Sequence, residues 1–141
     1  MRTTTALALL LAAATLAAAD PGMGDLTIVA EGFESEKGTV LIQLANSAED
    51  YGDDAGAFRH AEVKAAGGQA TAVFEGVPFG DYAVKILHDE NDNKKIDMGW
   101  RGPTERYGFS NDARGLIGPP SYDAAKFTLA AKAHRIEIQV K

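Results

Sequence analysis

Residues 70–86 read Ala70-Thr71-Ala72-Val73-Phe74-Glu75-Gly76-Val77-Pro78-Phe79-Gly80-Asp81-Tyr82-Ala83-Val84-Lys85-Ile86, and the period of this stretch decides the fold. Ala70, Ala72 and Phe74 alternate with Thr71 and Val73 until Gly76-Val77-Pro78 ends the run. Tyr82, Val84 and Ile86 then alternate through a further run that leads directly into His88-Asp89. Successive side chains of a strand point to opposite faces, so a period of two marks a half-buried strand.

The same period recurs on both sides. Leu26, Ile28 and Ala30 alternate with Thr27, Val29 and Glu31 before Gly32, and Gly38 opens a run in which Val40, Ile42 and Leu44 share a face. A polar loop is expected from Ser47 to Gly56, a weak strand from Arg59 to Ala65, and a turn at Gly67-Gly68. Strands resume at Lys126 to Ala130 and at Arg135 to Val140, where Ile136, Ile138 and Val140 share a face. There is no βαβ alternation and no convincing amphipathic helix, only a possible single turn at Ser121 to Ala125. The expected fold is therefore all-β, an antiparallel sandwich of about seven strands.

Between Asp89 and Tyr122 the alternation stops. Structureless loops of that length are uncommon in a compact domain unless they are functional or disordered. Trp100, Tyr107, Phe109, Leu116, Ile117 and Tyr122 supply apolar surface, so the insertion (89–122) is expected to be ordered and to pack on one end of the sandwich.

The N-terminus predicts the address. Arg2, the apolar run Ala6 to Leu16 and the small residues Ala17-Ala18-Ala19 form a secretory signal peptide spanning 1–19, with Asp20 first in the mature chain. The run is too short for the ~20 apolar residues of a bilayer span, so no transmembrane segment is expected. Residues 20–141 then form one domain, large enough to bury about two-thirds of its unfolded surface. The chain contains no cysteine, so packing, hydrogen bonds or a metal must hold it together without disulfides. Losing Arg2 takes the formal charge from −6 to −7. That balance repels nucleic acid and anionic lipid head groups, and suits cations or no partner in particular.

Within the insertion, Asp89, Asn91, Asn93 and Asp97 occupy positions 1, 3, 5 and 9 of a tight loop, and Lys95 at position 7 offers a carbonyl. Ca²⁺ wants six to eight oxygens, and one loop supplies several only with such alternate spacing. Position 6, where calcium loops use glycine, is Lys94; position 12, where they use a bidentate Glu, is Trp100. The missing carboxylate would have to come from Glu90, Asp92, Glu105 or the Asp50, Asp53 and Asp54 loop. Asp and Asn also form ordinary turns without any ion. A site of this composition is expected to be weak, with Kd of about 10⁻⁴–10⁻³ M.

Several motifs together resemble one bacterial exported family, domain of unknown function 2141. They are Gly80-Asp81-Tyr82-Ala83-Val84, His88-Asp89-Glu90-Asn91-Asp92-Asn93 with Asp97, Gly102-Pro103-Thr104-Glu105, Tyr107-Gly108-Phe109-Ser110-Asn111 and Gly118-Pro119-Pro120-Ser121, with Ala125 and Phe127. The resemblance covers essentially all of residues 20–141. It implies an Ig-like or prealbumin-like sandwich and no established activity. The family usually has glycine where this chain has Asp92 and Lys94, so the tight turn is less free here. The stretch Val77 to Val84 is also similar to the end of prealbumin-like modules of surface proteins, in which the tyrosine matching Tyr82 serves architecture.

The expected protein is thus an exported, non-catalytic module, periplasmic or extracellular. Its candidate calcium ligands are Asp89, Asn91, Asn93, Lys95, Asp97 and Glu105. A metal-free alternative binds a small ligand or a protein of the cell envelope through His88, Trp100, Arg101, Tyr107 and Phe109, the residue mix of a recognition surface. A third reading, a hydrolase built on His88, Glu105 and Ser110, lacks support: Ser110 has no nucleophile-elbow context, and His60, His88 and His134 have no metal-ligand spacing.

Overall fold

The alternating runs of the sequence become strands, and the computed structural model describes residues 22–53 and 57–141. The expected leader and Asp54 lie outside the described residues. Three strands, β1 (Met23–Glu31), β4 (Gln69–Pro78) and β10 (Ala133–Gln139), form one sheet in the order β10-β1-β4. The second sheet runs β3 (Arg59–Val63), β2 (Thr39–Ala45), β5 (Gly80–Asp89), β8 (Tyr107–Phe109), with β9 (Phe127–Leu129) also on β5. The pairings are antiparallel except that of the first and last strands, β1 and β10, which run parallel.

The expected inward faces meet between the sheets. Leu26, Ile28 and Ala30, Val40, Ile42 and Leu44, Phe74 and Val77, Val84 and Ile86, and Ile138 and Val140 are buried in one core. Alternation in β4 slips by one between Phe74 and Val77, because the register against β1 shifts there. Gly76 takes φ +60° at the slip and its N–H donates to Asp25 Oδ1 at 3.0 Å. Such a bulge puts an extra residue in one strand and turns the following side chains back inward. Tyr82 is buried and its hydroxyl donates to Pro78 O at 2.6 Å, the architectural role expected of it.

The insertion departs from its expected form in three ways. It contains strands of its own: β8, which completes the edge of β5, and a small hairpin of β6 (Met98–Gly99) and β7 (Gly102–Pro103). Only part of its apolar surface packs down. Phe109 is buried, but Trp100, Leu116 and Ile117 stand 90, 105 and 98 % exposed. The part that packs covers the outer face of the second sheet, where Phe109 joins Ala45, Tyr51, Ala83 and Ala125, with Ala113 and Tyr122 against them.

The loop expected from Ser47 to Gly56 carries a short helix, α1 (Ala48–Gly52). Ser47 caps it by accepting from Asp50 N–H at 3.1 Å, the role serine has at a helix start. The helix delivers Tyr51 to the outer-face cluster, where its hydroxyl donates to Pro120 O at 3.0 Å. A second turn of helix, α2 (Tyr122–Ala125), forms at the expected place and is capped by Ser121. Among the described residues no helix is long and apolar enough to cross a membrane.

Candidate functional site

The candidate loop begins where β5 ends. Thr39 pairs with Asp89 across β2 and β5, and a Cβ at Gly38 would strike the Asp89 carbonyl. A glycine there (φ +64°) lets the two strands close tightly at this end. The tight end holds the Asp89 side chain fully buried.

Asp89 organises the first half of the loop. Its Oδ1 accepts from Asn93 N–H at 3.2 Å and its Oδ2 from Lys94 N–H at 2.8 Å. Asn91 Oδ1 also accepts from Asn93 N–H at 3.3 Å, and Asn93 Oδ1 from Lys95 N–H at 3.0 Å. These are side-chain turns of the kind Asp and Asn make. The backbone they stabilise is left-handed at Asp92 (φ 55°) and Lys94 (φ 61°), the two places where the resembling family carries glycine. The turn is therefore kept although neither residue favours it. Each of the two is tied by its side chain: Asp92 Oδ1 accepts from Thr39 Oγ1 at 2.7 Å, and Lys94 Nζ lies 2.5 Å from Glu62 Oε1.

Asp97 closes the loop on itself. Asn91 Nδ2 donates to Asp97 Oδ2 at 2.6 Å, and Asn93 Nδ2 to Asp97 Oδ1 at 2.7 Å. Glu105, 7 % exposed, clamps the ends from outside the loop. Its Oε2 accepts from Glu90 N–H at 2.7 Å and its Oε1 from Asp97 N–H at 3.1 Å. Burial pushes the Glu105 carboxyl above the ordinary glutamate range; the two amide donors pull it back, and the neighbouring Asp97 adds to the rise.

The structure thus brings together Asp89, Asn91, Asn93, Asp97 and Glu105, five of the six expected ligands. Lys95 joins them through its backbone N–H, bonded to Asn93. The supplementary acid is Glu105 and not Asp50, whose Oδ2 instead accepts from Asn46 and Phe58 N–H at 3.1 and 2.8 Å. Among the described residues no three His, Cys, Asp or Glu side chains gather as a metal site. An ion at this loop would need the amide oxygens of Asn91 and Asn93.

The residues of the metal-free alternative are spread out. His88 is buried at 1 % exposure, its Nε2 2.7 Å from Lys37 O and its ring edge-on to Phe33 at 5.1 Å. Its Nδ1 has no hydrogen-bond partner; the nearest acid oxygen is Glu90 Oε1 at 3.8 Å. Trp100 and Arg101 form the turn between β6 and β7. Tyr107 and Phe109 line a cleft of about 190 Å³ with Arg114, Pro120, Gln139 and Lys141.

Ser110 has a role that sequence reasoning missed. Along the edge of β5, β9 pairs with Gly80 to Tyr82 and β8 with Lys85 to Leu87, which leaves a gap between them. Ser110 Oγ fills it, accepting from Val84 N–H at 2.9 Å and donating to Ala125 O at 2.5 Å. The hydroxyl is buried and both of its bonds go to backbone.

No curated protein and no solved structure matches the chain. A family model, described as an uncharacterized protein conserved in bacteria (DUF2141), matches residues 28–137, from the inward face of β1 to the middle of β10. That span includes the loop, its Glu105 clamp and the Ser110 bridge, so the chain belongs to the bacterial family DUF2141.

Proposed function

We propose that this chain is an exported, non-catalytic β-sandwich module whose loop 89–97 takes up Ca²⁺ outside the cytoplasm. One observation carries the reading: Asn91 and Asn93 converge on the two oxygens of Asp97 at 2.6 and 2.7 Å, above a buried Asp89 and inside the Glu105 clamp. The donor set fits a hard cation, since every contributing side chain offers oxygen and none offers sulfur or imidazole. The amide oxygens of Asn91 and Asn93, which accept from the N–H groups of Asn93 and Lys95, each keep a second lone pair for an ion. The carboxylate oxygens that accept backbone N–H groups each keep a second lone pair.

Bound there, the ion supplies charge to a loop that otherwise holds Asp97 by two neutral amides. Its effect is architectural. Asp97 O accepts from Thr104 N–H at 2.8 Å and from Thr104 Oγ1 at 3.1 Å, so fixing Asp97 fixes the base of the β6–β7 hairpin. The buried backbone bonds of Ser110 and the sealed His88 favour architecture over catalysis for both.

The test is thermal unfolding with chelator and with ~10 mM Ca²⁺. With Kd of about 10⁻⁴–10⁻³ M, mass action adds about 1.4–2.7 kcal/mol. For a domain of this size that raises Tm by about 4–14 °C. Asp97→Ala should abolish the rise, and Mg²⁺ should not reproduce it. An unchanged Tm together with no calorimetric heat of Ca²⁺ binding refutes the proposal.

A second reading, a metal-free module that binds a small ligand of the cell envelope, is favoured by the cleft beside Tyr107 and Phe109. Under that reading Tyr107→Ala loses the ligand, whereas under the calcium reading it keeps the full calcium-dependent rise in Tm.

A further inference from the structure

We propose that the cleft beside Tyr107 binds one neutral sugar ring, a pyranose unit of a saccharide. The inference rests on the reading of that cleft as a ligand site, and it names the class of ligand. The cleft volume, about 190 Å³, lies below the ~300–1,000 Å³ of pockets for drug-sized ligands, so it suits a single small ring. One wall is aromatic. Tyr107 and Phe109 are alternate residues of β8 and share a face. Phe109 is buried in the outer-face cluster, and its ring meets that of Tyr107 edge-on with 5.8 Å between centroids. A buried neighbour thus steadies a ring that stays 37 % exposed, a flat apolar surface with a polar tip.

The rest of the lining is polar and of both signs: Asp112, Arg114 and Lys141. Asp112 is held there by two consecutive left-handed residues, Asn111 (φ 61°) and Asp112 itself (φ 48°). Asn111 Nδ2 fixes the first by donating to Ala124 O at 3.2 Å and Lys126 O at 2.8 Å. Asp112 Oδ1 fixes the second by accepting from Gln139 N–H at 2.8 Å, and Oδ2 is left to a ligand. Mixed charges in one small cleft select against an ion of either sign, since an anion meets Asp112 and a cation meets Arg114 and Lys141. A hydroxyl suffers neither penalty because it donates and accepts at once. It gives its proton to the carboxylate and accepts one from the guanidinium or the ammonium. A sugar ring has C–H groups on its face for Tyr107 and hydroxyls on its edge for these side chains. Gly115 and Gly118, in the same lining, leave backbone N–H and C=O groups unshielded by any side chain.

The test is an amide NMR titration in chelator, which separates the cleft from the calcium loop. The probes are glucose, galactose, mannose and N-acetylglucosamine, with benzoate and benzylamine as rings of either charge. A ligand of about 12 non-hydrogen atoms at ordinary efficiency has Kd of roughly 1–10 mM, so each is taken to about 50 mM. At least one sugar should shift the Gly108, Gly115 and Gly118 amides saturably and more tightly than either charged ring. Tyr107→Ala should weaken that binding roughly tenfold or more, and Tyr107→Phe should keep it. Arg114→Ala, at an exposed position where folding is not at stake, should weaken it severalfold. The sugar class is overturned, and the cleft left standing as a ligand site, if a charged ring binds there as well as every sugar. If no probe moves those amides, both readings fall. Undiminished sugar binding by both alanine variants, or shifts confined to residues outside the cleft, also overturns the proposal.

Discussion

Replacing Ser110 by alanine tests whether this serine is architectural. The substitution removes one oxygen from a buried position and leaves the carbon skeleton in place, so little cavity forms. What it removes is the only partner the hydroxyl gives to Val84 N–H, at 2.9 Å, and to Ala125 O, at 2.5 Å. Neither group can turn to another strand, because β9 ends at Tyr82 and β8 begins opposite Lys85. An unsatisfied buried backbone group costs about 1–3 kcal/mol. Two of them, partly relieved by relaxation, give a loss of roughly 2–4 kcal/mol. At about 3–5 °C per kcal/mol for a domain of this size, Tm falls by about 6–20 °C. Circular dichroism melts in chelator measure it directly, and urea titration should show the same loss at an unchanged slope. If Ser110→Ala melts within about a degree of the parent, water or a rearranged edge satisfies both groups and the bridge has been misread.

Two further perturbations act on other parts of the molecule. Lys94→Gly should raise Tm by a few degrees in chelator, since Lys94 holds φ 61°, a conformation glycine adopts without cost; a fall would show that the contact with Glu62 outweighs the strain. Burial raises the Tyr51 phenol to about 12 from an ordinary 10. Its folded pKa lies above its unfolded one, so the stabilisation is complete below about pH 10 and is lost as pH rises through about 12. Tyr51→Phe should lose stability at neutral pH yet decline less steeply over that alkaline window, as followed by melting at successive pH values.

The core was legible in the sequence because its strands are half-buried, and a period of two survives wherever one face meets water. Leu26, Ile28, Val40, Ile42, Leu44, Val84 and Ile86 all face inward as the alternation requires. The bulge hid the rest of β4, since one extra residue moves Val77 out of phase and reads as a strand end. The short helix α1 has too few residues for a helical period, and its one signal is the serine cap before two acids. Exposure in the insertion was illegible for a different reason. Phe109 and Trp100 are both large aromatics, and only the pairing of β8 with β5 decides that one is buried while the other is left at a hairpin turn. The loop was partly legible: alternate oxygens mark a side-chain-supported turn, and Glu105 was among the candidate acids. The Thr39 contact to Asp92 spans 53 residues and has no local signature at all.

The loop and the hairpin meet at one residue. The Asp97 side chain faces Asn91 and Asn93, its N–H is held by Glu105, and its carbonyl takes both donors of Thr104 at the hairpin's base. Whatever fixes the carboxylate therefore stiffens the hairpin through a single backbone unit, without any movement of the sandwich. If the proposed ion binds, it should therefore reach Trp100 without touching it: by holding Asp97 it would narrow the range of positions the hairpin turn samples. The anisotropy of Trp100 emission, from the only tryptophan in the chain, should then rise on adding Ca²⁺ to protein kept in chelator. Asp97→Ala should erase that rise, and a Trp100 signal indifferent to Ca²⁺ that binds by calorimetry would refute the coupling through this one backbone unit.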